Sequence, residues 1–167
     1  MTEIDVDSIT LRPAAADDQD FLLELYKSSR GEDLRRLGWS ENEVDHFLEK
    51  QYEAHRTFEQ RDYAHAVDEL ILFSKQRIGR LQVDHAPDEI RCLDISLLPA
   101  WRNQGLGSYL IRRLQNESAD QHKPLRLQVI RFNRAVNLFE RLGFATASET
   151  GTHFQMEWKP PESEARP

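Results

Sequence analysis

The segment LDISLLPAWRNQGLGSYL, residues 93–110, is the most informative stretch of the 167-residue chain. Its first residues alternate or are apolar, as in a strand, and Pro99 ends that pattern. A loop with two glycines follows. The next leucines recur at every fourth position, which is the spacing of a buried helix face: Leu106, Leu110 and Leu114. The segment therefore predicts a strand, a glycine loop and a helix in direct succession.

This succession predicts an anion site at the start of the helix. The N–H groups of a first helical turn lack intrahelical partners, and the helix dipole adds partial positive charge there. Gly105 and Gly107 allow a ligand close to the backbone, and Arg102 adds a full positive charge. A phosphate or pyrophosphate suits such a site. The loop lacks both the P-loop ending and the three-glycine dinucleotide fingerprint, which disfavours those nucleotide-binding classes.

Outside this segment, the periodicity predicts the element order β α α β β β α β α β β. The stripe of Phe21, Leu22 and Leu25 marks the first helix, and a capping box of Ser40 and Glu43 begins the second. The strand–helix–strand unit over 93–130 predicts a parallel strand pair, because such crossovers join parallel strands. The expected fold class is α+β, an α/β/α sandwich with a mixed, mostly antiparallel sheet around a central parallel pair.

Composition limits the class of protein. Hydrophobic residues make up 39% and charged residues 31%, which is typical of a soluble globular protein, and the net charge of −7 disfavours nucleic acid as a partner. No run has the length of a membrane span or the pattern of a signal peptide, so we expect a cytoplasmic protein without a membrane partner. The single cysteine, Cys92, excludes an intrachain disulfide, and no residue cluster has metal-site spacing, so no metal is expected. We expect a flexible N-terminus over 1–8, a single acyltransferase domain over 9–158 and a disordered tail over 159–167.

Two motifs resemble those of the GNAT (Gcn5-related) N-acetyltransferase family. RNQGLG, residues 102–107, resembles the acetyl-CoA pyrophosphate signature Arg/Gln-x-x-Gly-x-Gly/Ala. NRAVNLFERLGF, residues 133–144, resembles the block Asn-x-x-Ala-x-x-x-Tyr-x-x-x-Gly-Phe, and ITLRPA, residues 9–14, resembles the first strand. The resemblance follows the element order over 9–158 and is specific over 93–144.

The resemblance implies an N-acetyltransferase that moves acetyl from acetyl-CoA, its cosubstrate, to a primary amine of a small molecule or protein by direct attack. The pantetheine arm would lie in a gap between two parallel strands, splayed by a bulge, and a backbone N–H at Leu97 would polarise the thioester carbonyl. The residues assigned to acetyl-CoA are Leu97, Leu98, Arg102, Asn103, Gln104, Gly105, Leu106, Gly107, Ser108, Asn133 and Phe139. Asn133 is equally well placed to cap the following helix.

The acceptor amine needs a base. A free alkyl amine has a pKa near about 10 and is mostly protonated at neutral pH. Relatives often use an acid on the strand before the pyrophosphate loop, which makes Glu89 the first candidate and Asp94 the second. A surface pair of Glu89 with Arg91 is an equally good interpretation of the first. The alternatives are His65 and His85, although histidines in such positions are more often structural or exposed.

One residue departs from the family pattern. The family's tyrosine, which protonates the leaving thiolate, is Phe139 here, and Tyr109 is a weak substitute. The second hypothesis is therefore a catalytically degenerate acyl-CoA-binding regulatory module. The acceptor wall comes from the region around 26–66, where the resemblance is vaguest, although Trp39 in that region is a candidate to stack on a substrate. The sequence thus predicts neither the acceptor nor whether the protein is a monomer or a homodimer.

Overall fold

The computed structural model describes residues 3–162, and the predictions that fall on residues 1–2 and 163–167 lie outside that range. Its strands are β1 (Ile9–Pro13), β2 (Val67–Phe73), β3 (Gln76–His85), β4 (Ile90–Leu97), β5 (Leu125–Ile130), β6 (Ala145–Glu149) and β7 (His153–Trp158). Its α-helices are α1 (Gln19–Arg36), α2 (Glu41–Asp62), α3 (Leu106–Asp120) and α4 (Ala135–Arg141). Short 3-10 turns occur at Val6–Ser8, Ala16–Asp18 and Pro99–Trp101. None of these helices is long and apolar enough to cross a membrane.

The strands form one mixed sheet in the order β1-β2-β3-β4-β5-β7-β6. Strands β4 and β5 pair in parallel, with a register from Ile90↔Leu125 to Cys92↔Leu127. The pairs β1–β2, β5–β7 and β6–β7 are antiparallel. The predicted α+β fold with one parallel pair in a mostly antiparallel sheet is confirmed.

The chain divides into two compact units, and the prediction of a single domain stays a prediction. The first unit contains the chain up to Gln82 and the segment Asp94–Gln104, and the second contains Val83–Leu93 and the chain from Gly105 onward. Strand β4 contributes its first half to the second unit and its second half to the first.

In the first unit, α1 and α2 are packed around an apolar core. Its buried members are Phe21, Leu22, Leu25, Tyr52 and Leu70. Helix α2 begins as predicted, because the Ser40 hydroxyl accepts a hydrogen bond from the Glu43 backbone N–H at 3.3 Å. The Glu43 carboxylate in turn accepts from the Ser40 backbone N–H at 2.7 Å, which completes the capping box.

A close approach of two strands fixes the end of β4 in the first unit. A Cβ atom at Gly79 of β3 would lie 2.2 Å from the carbonyl oxygen of Ser96, so only glycine fits there. Just beyond β4, the N–H of Leu98 donates to the carbonyl of Ile78 at 2.8 Å. The residues that lead into the glycine loop therefore have a defined position on the neighbouring strand.

In the second unit, α3 buries the predicted leucine stripe, and Leu106, Leu110 and Leu114 are each at most 5% exposed. A Cβ at Gly107 would lie 3.4 Å from a methyl carbon of Leu138, so a glycine there allows α3 and α4 to pack closely. Helix α4 ends before Gly143, whose φ of +93° favours glycine, as the sequence predicts.

Candidate functional site

The start of α3 has the backbone geometry that the anion-site prediction requires. Gly105 occupies the cap position of this 15-residue helix with φ 84° and ψ 0°, a left-handed conformation that glycine adopts without strain. A Cβ built at Gly105 would meet no atom within 4 Å, so space is open beside the backbone. The N–H groups of the first turn, Leu106 to Ser108, have no acceptors within the helix. This local structure fits a diphosphate, while the binding itself stays a prediction.

Side chains of the preceding residues fold back onto their own loop. The Arg102 Nε donates to the carbonyl of Leu97 at 2.9 Å, and the Gln104 amide donates to the carbonyl of Ala100 at 2.7 Å. Asn103 has φ 59°, which is unusual for a residue other than glycine. The predicted roles of Leu97, Leu98 and the loop residues in holding acetyl-CoA stay predictions.

Asp94, the second candidate base, lies on the part of β4 that belongs to the first unit. Its Oδ1 accepts a hydrogen bond from the Ser96 hydroxyl at 2.6 Å, and its Oδ2 lies 3.5 Å from the Arg80 Nη1. The side chain is 27% exposed. Burial raises the pKa of the Asp94 carboxyl above its ordinary value, although the charge of Arg80 and the hydrogen bond from Ser96 act in the opposite direction.

Arg80 of β3 lies among carboxylates from three other elements. It bonds Asp68 at 2.7 Å, contacts Glu59 at 3.1 Å and approaches Asp94 as described, while its own side chain is only 11% exposed. Burial by itself would lower the Arg80 pKa, but the hydrogen bond from Asp68 and the charges of Asp94 and Glu59 raise it. We call the set Arg80, Glu59, Asp68, Asp94 and Gln82 the Arg80 cluster. Gln82 donates its amide to Glu59 at 3.4 Å, and its buried Oε1 has no partner.

Sequence reasoning identified Asp94 but missed the rest of this cluster. One signal was available, since Arg80 and Gln82 occupy alternate positions of a strand that is otherwise largely buried. A charged and an amide side chain on the same face of such a strand predict partners from another element. The partners themselves, Glu59 on α2 and Asp68 on β2, depend on tertiary packing.

Glu89, the first candidate base, lies in the second unit and is held by two arginines. The Arg91 Nε donates to its Oε1 at 3.2 Å, so the alternative of an ion pair with Arg91 is confirmed. The Arg126 Nη1 donates to its Oε2 at 2.8 Å, and the Arg126 Nε also bonds Glu157 at 2.7 Å. Both carboxylate oxygens of Glu89 therefore have cationic partners.

The two site residues predicted near α4 have defined local contacts. The Asn133 Oδ1 accepts from the backbone N–H of Ala135, the first residue of α4, at 2.9 Å, which confirms the capping role. Phe139 is buried, and its ring centroid lies 5.6 Å from that of Phe144. Contacts of Asn133 and Phe139 with acetyl-CoA stay predictions.

The remaining candidates each have a structural partner. The His85 Nε2 lies 2.7 Å from a Glu117 carboxylate oxygen, and the Tyr109 ring has the Arg113 guanidinium 5.9 Å from its centroid. Trp39 packs edge-on against Phe47 at 5.2 Å, and His65 is exposed. Within residues 3–162, no group of three or more histidine, cysteine, aspartate or glutamate side chains is placed to hold a metal ion.

With this geometry in view, the family comparison is decisive. A model of the acetyltransferase (GNAT) domain family matches residues 59–146. The chain belongs to the GNAT acetyltransferase family. The matched range includes β4, the glycine loop, α3 and the Asn133 block, which are the segments on which the resemblance was based.

Solved structures show the same fold. The PaiA N-acetyltransferase of Thermoplasma acidophilum, in complex with coenzyme A, is similar with a TM-score of 0.71 and 18% identity, over 91% of this chain and 99% of that one. The ribosomal-protein-S18-alanine N-acetyltransferase of Escherichia coli is similar with a TM-score of 0.63 and 18% identity, over 95% and 98% of the two chains. An acetyltransferase of Thermus thermophilus gives 0.65 and 16%, over 91% and 97%. No curated protein sequence matches this GNAT chain.

Proposed function

We propose that this GNAT protein transfers an acetyl group from acetyl-CoA to a primary amine, of a small molecule or a protein, by direct attack. The observation that carries the proposal is the left-handed, open Gly105 at the start of α3, within the family's pyrophosphate motif. That a GNAT protein of the same fold is solved with coenzyme A supports it. The cosubstrate needs no metal in this scheme.

In this proposal the loop Arg102–Gly107 and the first turn of α3 hold the diphosphate. The backbone amides from Asn103 to Ser108 supply hydrogen bonds, and Arg102 supplies charge. The bond from its Nε to Leu97 leaves both Nη atoms of Arg102 without a partner among residues 3–162, so they are available to phosphate oxygens. Backbone groups of Leu97 and Leu98, together with Asn133 and Phe139, are assigned to the pantetheine and thioester by the family pattern. Because the Leu98 N–H already donates to Ile78, we assign the polarising N–H to Leu97.

The reaction forms one bond and breaks another. The amine nitrogen attacks the thioester carbonyl carbon, the N–C bond forms, and the C–S bond breaks as coenzyme A leaves as a thiolate. The N–H of Leu97 stabilises negative charge on the carbonyl oxygen. The amine gives up a proton to a base, and the thiolate takes a proton from water or an acid, since Phe139 has none to give.

We assign the base to Asp94 rather than to Glu89. The Asp94 carboxylate is partly exposed, and burial raises its pKa, so it is better suited than an ordinary aspartate to accept a proton near neutral pH. The two oxygens of Glu89 are each bonded to an arginine. Turnover measurements that separate the two are given in the Discussion.

The substitution Gly105→Glu tests cosubstrate binding. A carboxylate beside the diphosphate, at a φ that side chains rarely adopt, is expected to raise the acetyl-CoA Kd by about 100-fold or more in calorimetry. Gly151→Glu is the matched control, because it adds the same charge in another open turn, where φ is not in the left-handed region. Equal affinity of the Gly105→Glu variant and the wild type, with the fold intact by circular dichroism, would contradict this placement of the cosubstrate.

One observation favours a second candidate function, an acyl-CoA-binding module without chemistry. Phe139 stands where the family has its acid and is packed in the core against Phe144. Release of the coenzyme A thiol from acetyl-CoA with a panel of amines distinguishes the two functions. Thiol release with any amine supports the enzyme, whereas tight acetyl-CoA binding without release across the panel supports the module.

A further inference from the structure

Arg30 is distinguished from the other cations of α1 by its lack of an acidic partner. Lys27 pairs with Glu49 at 2.9 Å, Arg35 with Glu41 at 2.6 Å and Arg36 with Glu32 at 2.7 Å. Among residues 3–162 no carboxylate forms an ion pair with Arg30. Its guanidinium carbon instead lies 3.9 Å from the centroid of the Tyr26 ring, one helical turn earlier. This exposed guanidinium therefore has its hydrogen-bond donors available.

A continuous series of contacts leads from Arg30 to the Arg80 cluster within the first unit. The Tyr26 ring lies 6.0 Å from the ring of His55, whose Nδ1 lies 3.0 Å from Glu59. Glu59 contacts Arg80, and Arg80 approaches Asp94. The charge of Arg30 lowers the pKa of Asp94, in opposition to the larger effect of burial, so the two side chains lie close enough to interact.

The two ends of this series offer opposite chemistry. At the Asp94 end, the carboxylates of Glu59, Asp68 and Asp94 surround one guanidinium, and the buried Oε1 of Gln82 lacks a donor. This end favours a ligand group that is cationic or donates hydrogen bonds. At the Arg30 end, an unpaired guanidinium favours an anion, and carboxylate is the anion that its planar donors match best.

We propose that the acceptor is an amine that also carries a carboxylate, of the amino-acid type, with its amino group at Asp94 and its carboxylate on Arg30. This inference rests on the proposed function, because it names the substrate class of the same reaction. The Tyr26 ring lies between the two ends and lines the path of the acceptor. Simple monoamines lack the group that Arg30 binds, and diamines place a second cation beside it.

The test uses matched acceptors with wild-type protein and acetyl-CoA, and follows release of the coenzyme A thiol. Each amino acid, from alanine and glycine to 6-aminohexanoate, is compared with the monoamine that lacks its carboxylate and with the diamine of equal length. We expect at least one amino acid to exceed its monoamine in kcat/KM by about tenfold or more. Arg30→Gln is expected to remove that advantage through KM with kcat unchanged, and to leave the monoamine unaffected. Arg36→Gln, which alters an exposed cation of the same helix, is the control.

The outcomes separate the two proposals. If amino acids and monoamines react equally, or the Arg30→Gln variant keeps the preference, the acceptor inference is wrong and the acetyltransferase proposal stands. If acetyl-CoA binds but no amine releases thiol, the proposed function fails. Calorimetric titration of the same amino acids into the coenzyme A-saturated protein then decides the acceptor inference alone. Binding that Arg30→Gln weakens about tenfold supports it, and no binding, or binding unchanged in that variant, overturns it.

Discussion

Two arginines of this protein each bond more than one carboxylate, and their surroundings differ. Arg80 in the first unit is 11% exposed and is approached by Glu59, Asp68 and Asp94. Arg126 in the second unit is 40% exposed and bonds Glu89 and Glu157 at 2.8 and 2.7 Å. The first arrangement is buried and has an excess of negative charge, whereas the second is more exposed and each of its contacts is short.

This difference explains why one carboxylate is suited to chemistry and the other to structure. In the second unit, the hydrogen bond from Arg126 lowers the pKa of Glu157, so that carboxyl stays ionised. In the first unit, Arg80 is shared among three acids and reaches Asp94 only at 3.5 Å, so burial dominates and the Asp94 pKa is raised. A carboxylate with raised proton affinity and partial exposure is a candidate base by physical criteria alone.

The largest expected effect separates the two candidate bases. Asp94→Asn keeps the shape of the side chain but cannot accept the amine proton, so we expect turnover to fall by about 10²- to 10⁴-fold. The wild-type kcat/KM should rise with pH as Asp94 loses its proton, above the range of an ordinary aspartate, and this limb should vanish in the variant. Glu89→Gln is the control and should lose far less. The reverse ranking of the two variants would return the base to Glu89.

The second effect concerns stability. Arg80→Met removes the only guanidinium that bonds Glu59 and Asp68 and leaves the nearly buried Glu59 with His55 and Gln82, so we expect a loss of about 3–5 kcal/mol. Arg126→Met is expected to lose only about 1 kcal/mol or less, because solvent screens pairs of a side chain that is 40% exposed. Urea unfolding of both variants measures this contrast. Similar losses in the two would mean that burial does not distinguish the two arginines.

Much of the fold could be predicted from local sequence signals. Strands Leu125–Ile130 and His153–Trp158 have the predicted bounds, and the capping box of Ser40 begins α2. The second half of α1 was harder, because its residues lack an apolar stripe. Ion pairs with α2, such as Lys27 with Glu49 and Arg35 with Glu41, hold that half of the helix. Such pairs depend on the hairpin that they stabilise, so periodicity alone does not show them.

The candidate site divides in the same way. The glycine loop could be predicted, because a left-handed cap and free N–H groups depend on neighbouring residues in sequence. The environment of the base could not, because Glu59 and Asp94 approach Arg80 from elements far apart in the chain. Glu89 and Asp94 look alike as acids on one strand. Only the tertiary partners show that one is neutralised by arginines and the other is not.

The smallest effect concerns the pH dependence of stability and differs in sign between the two regions. Because the folded-state pKa of Asp94 is raised, the folded protein binds its proton more tightly than the unfolded chain, and stability falls as pH rises from about 4 through that pKa. Because the pKa of Glu157 is lowered, its contribution is present above about pH 4 and is lost as pH falls through the folded value.

Asp94→Asn is therefore expected to equal or exceed the wild type in stability at pH 7, by less than about 1 kcal/mol, with the difference vanishing below about pH 4. Glu157→Gln should be less stable than the wild type at pH 7 by about 1 kcal/mol or less, and that deficit should also shrink in acid. Thermal unfolding from pH 3 to pH 8 measures both differences. A loss of stability at pH 7 in the Asp94→Asn variant would mean that its contact with Arg80 outweighs burial, and the electrostatic argument for Asp94 as the base would then no longer hold.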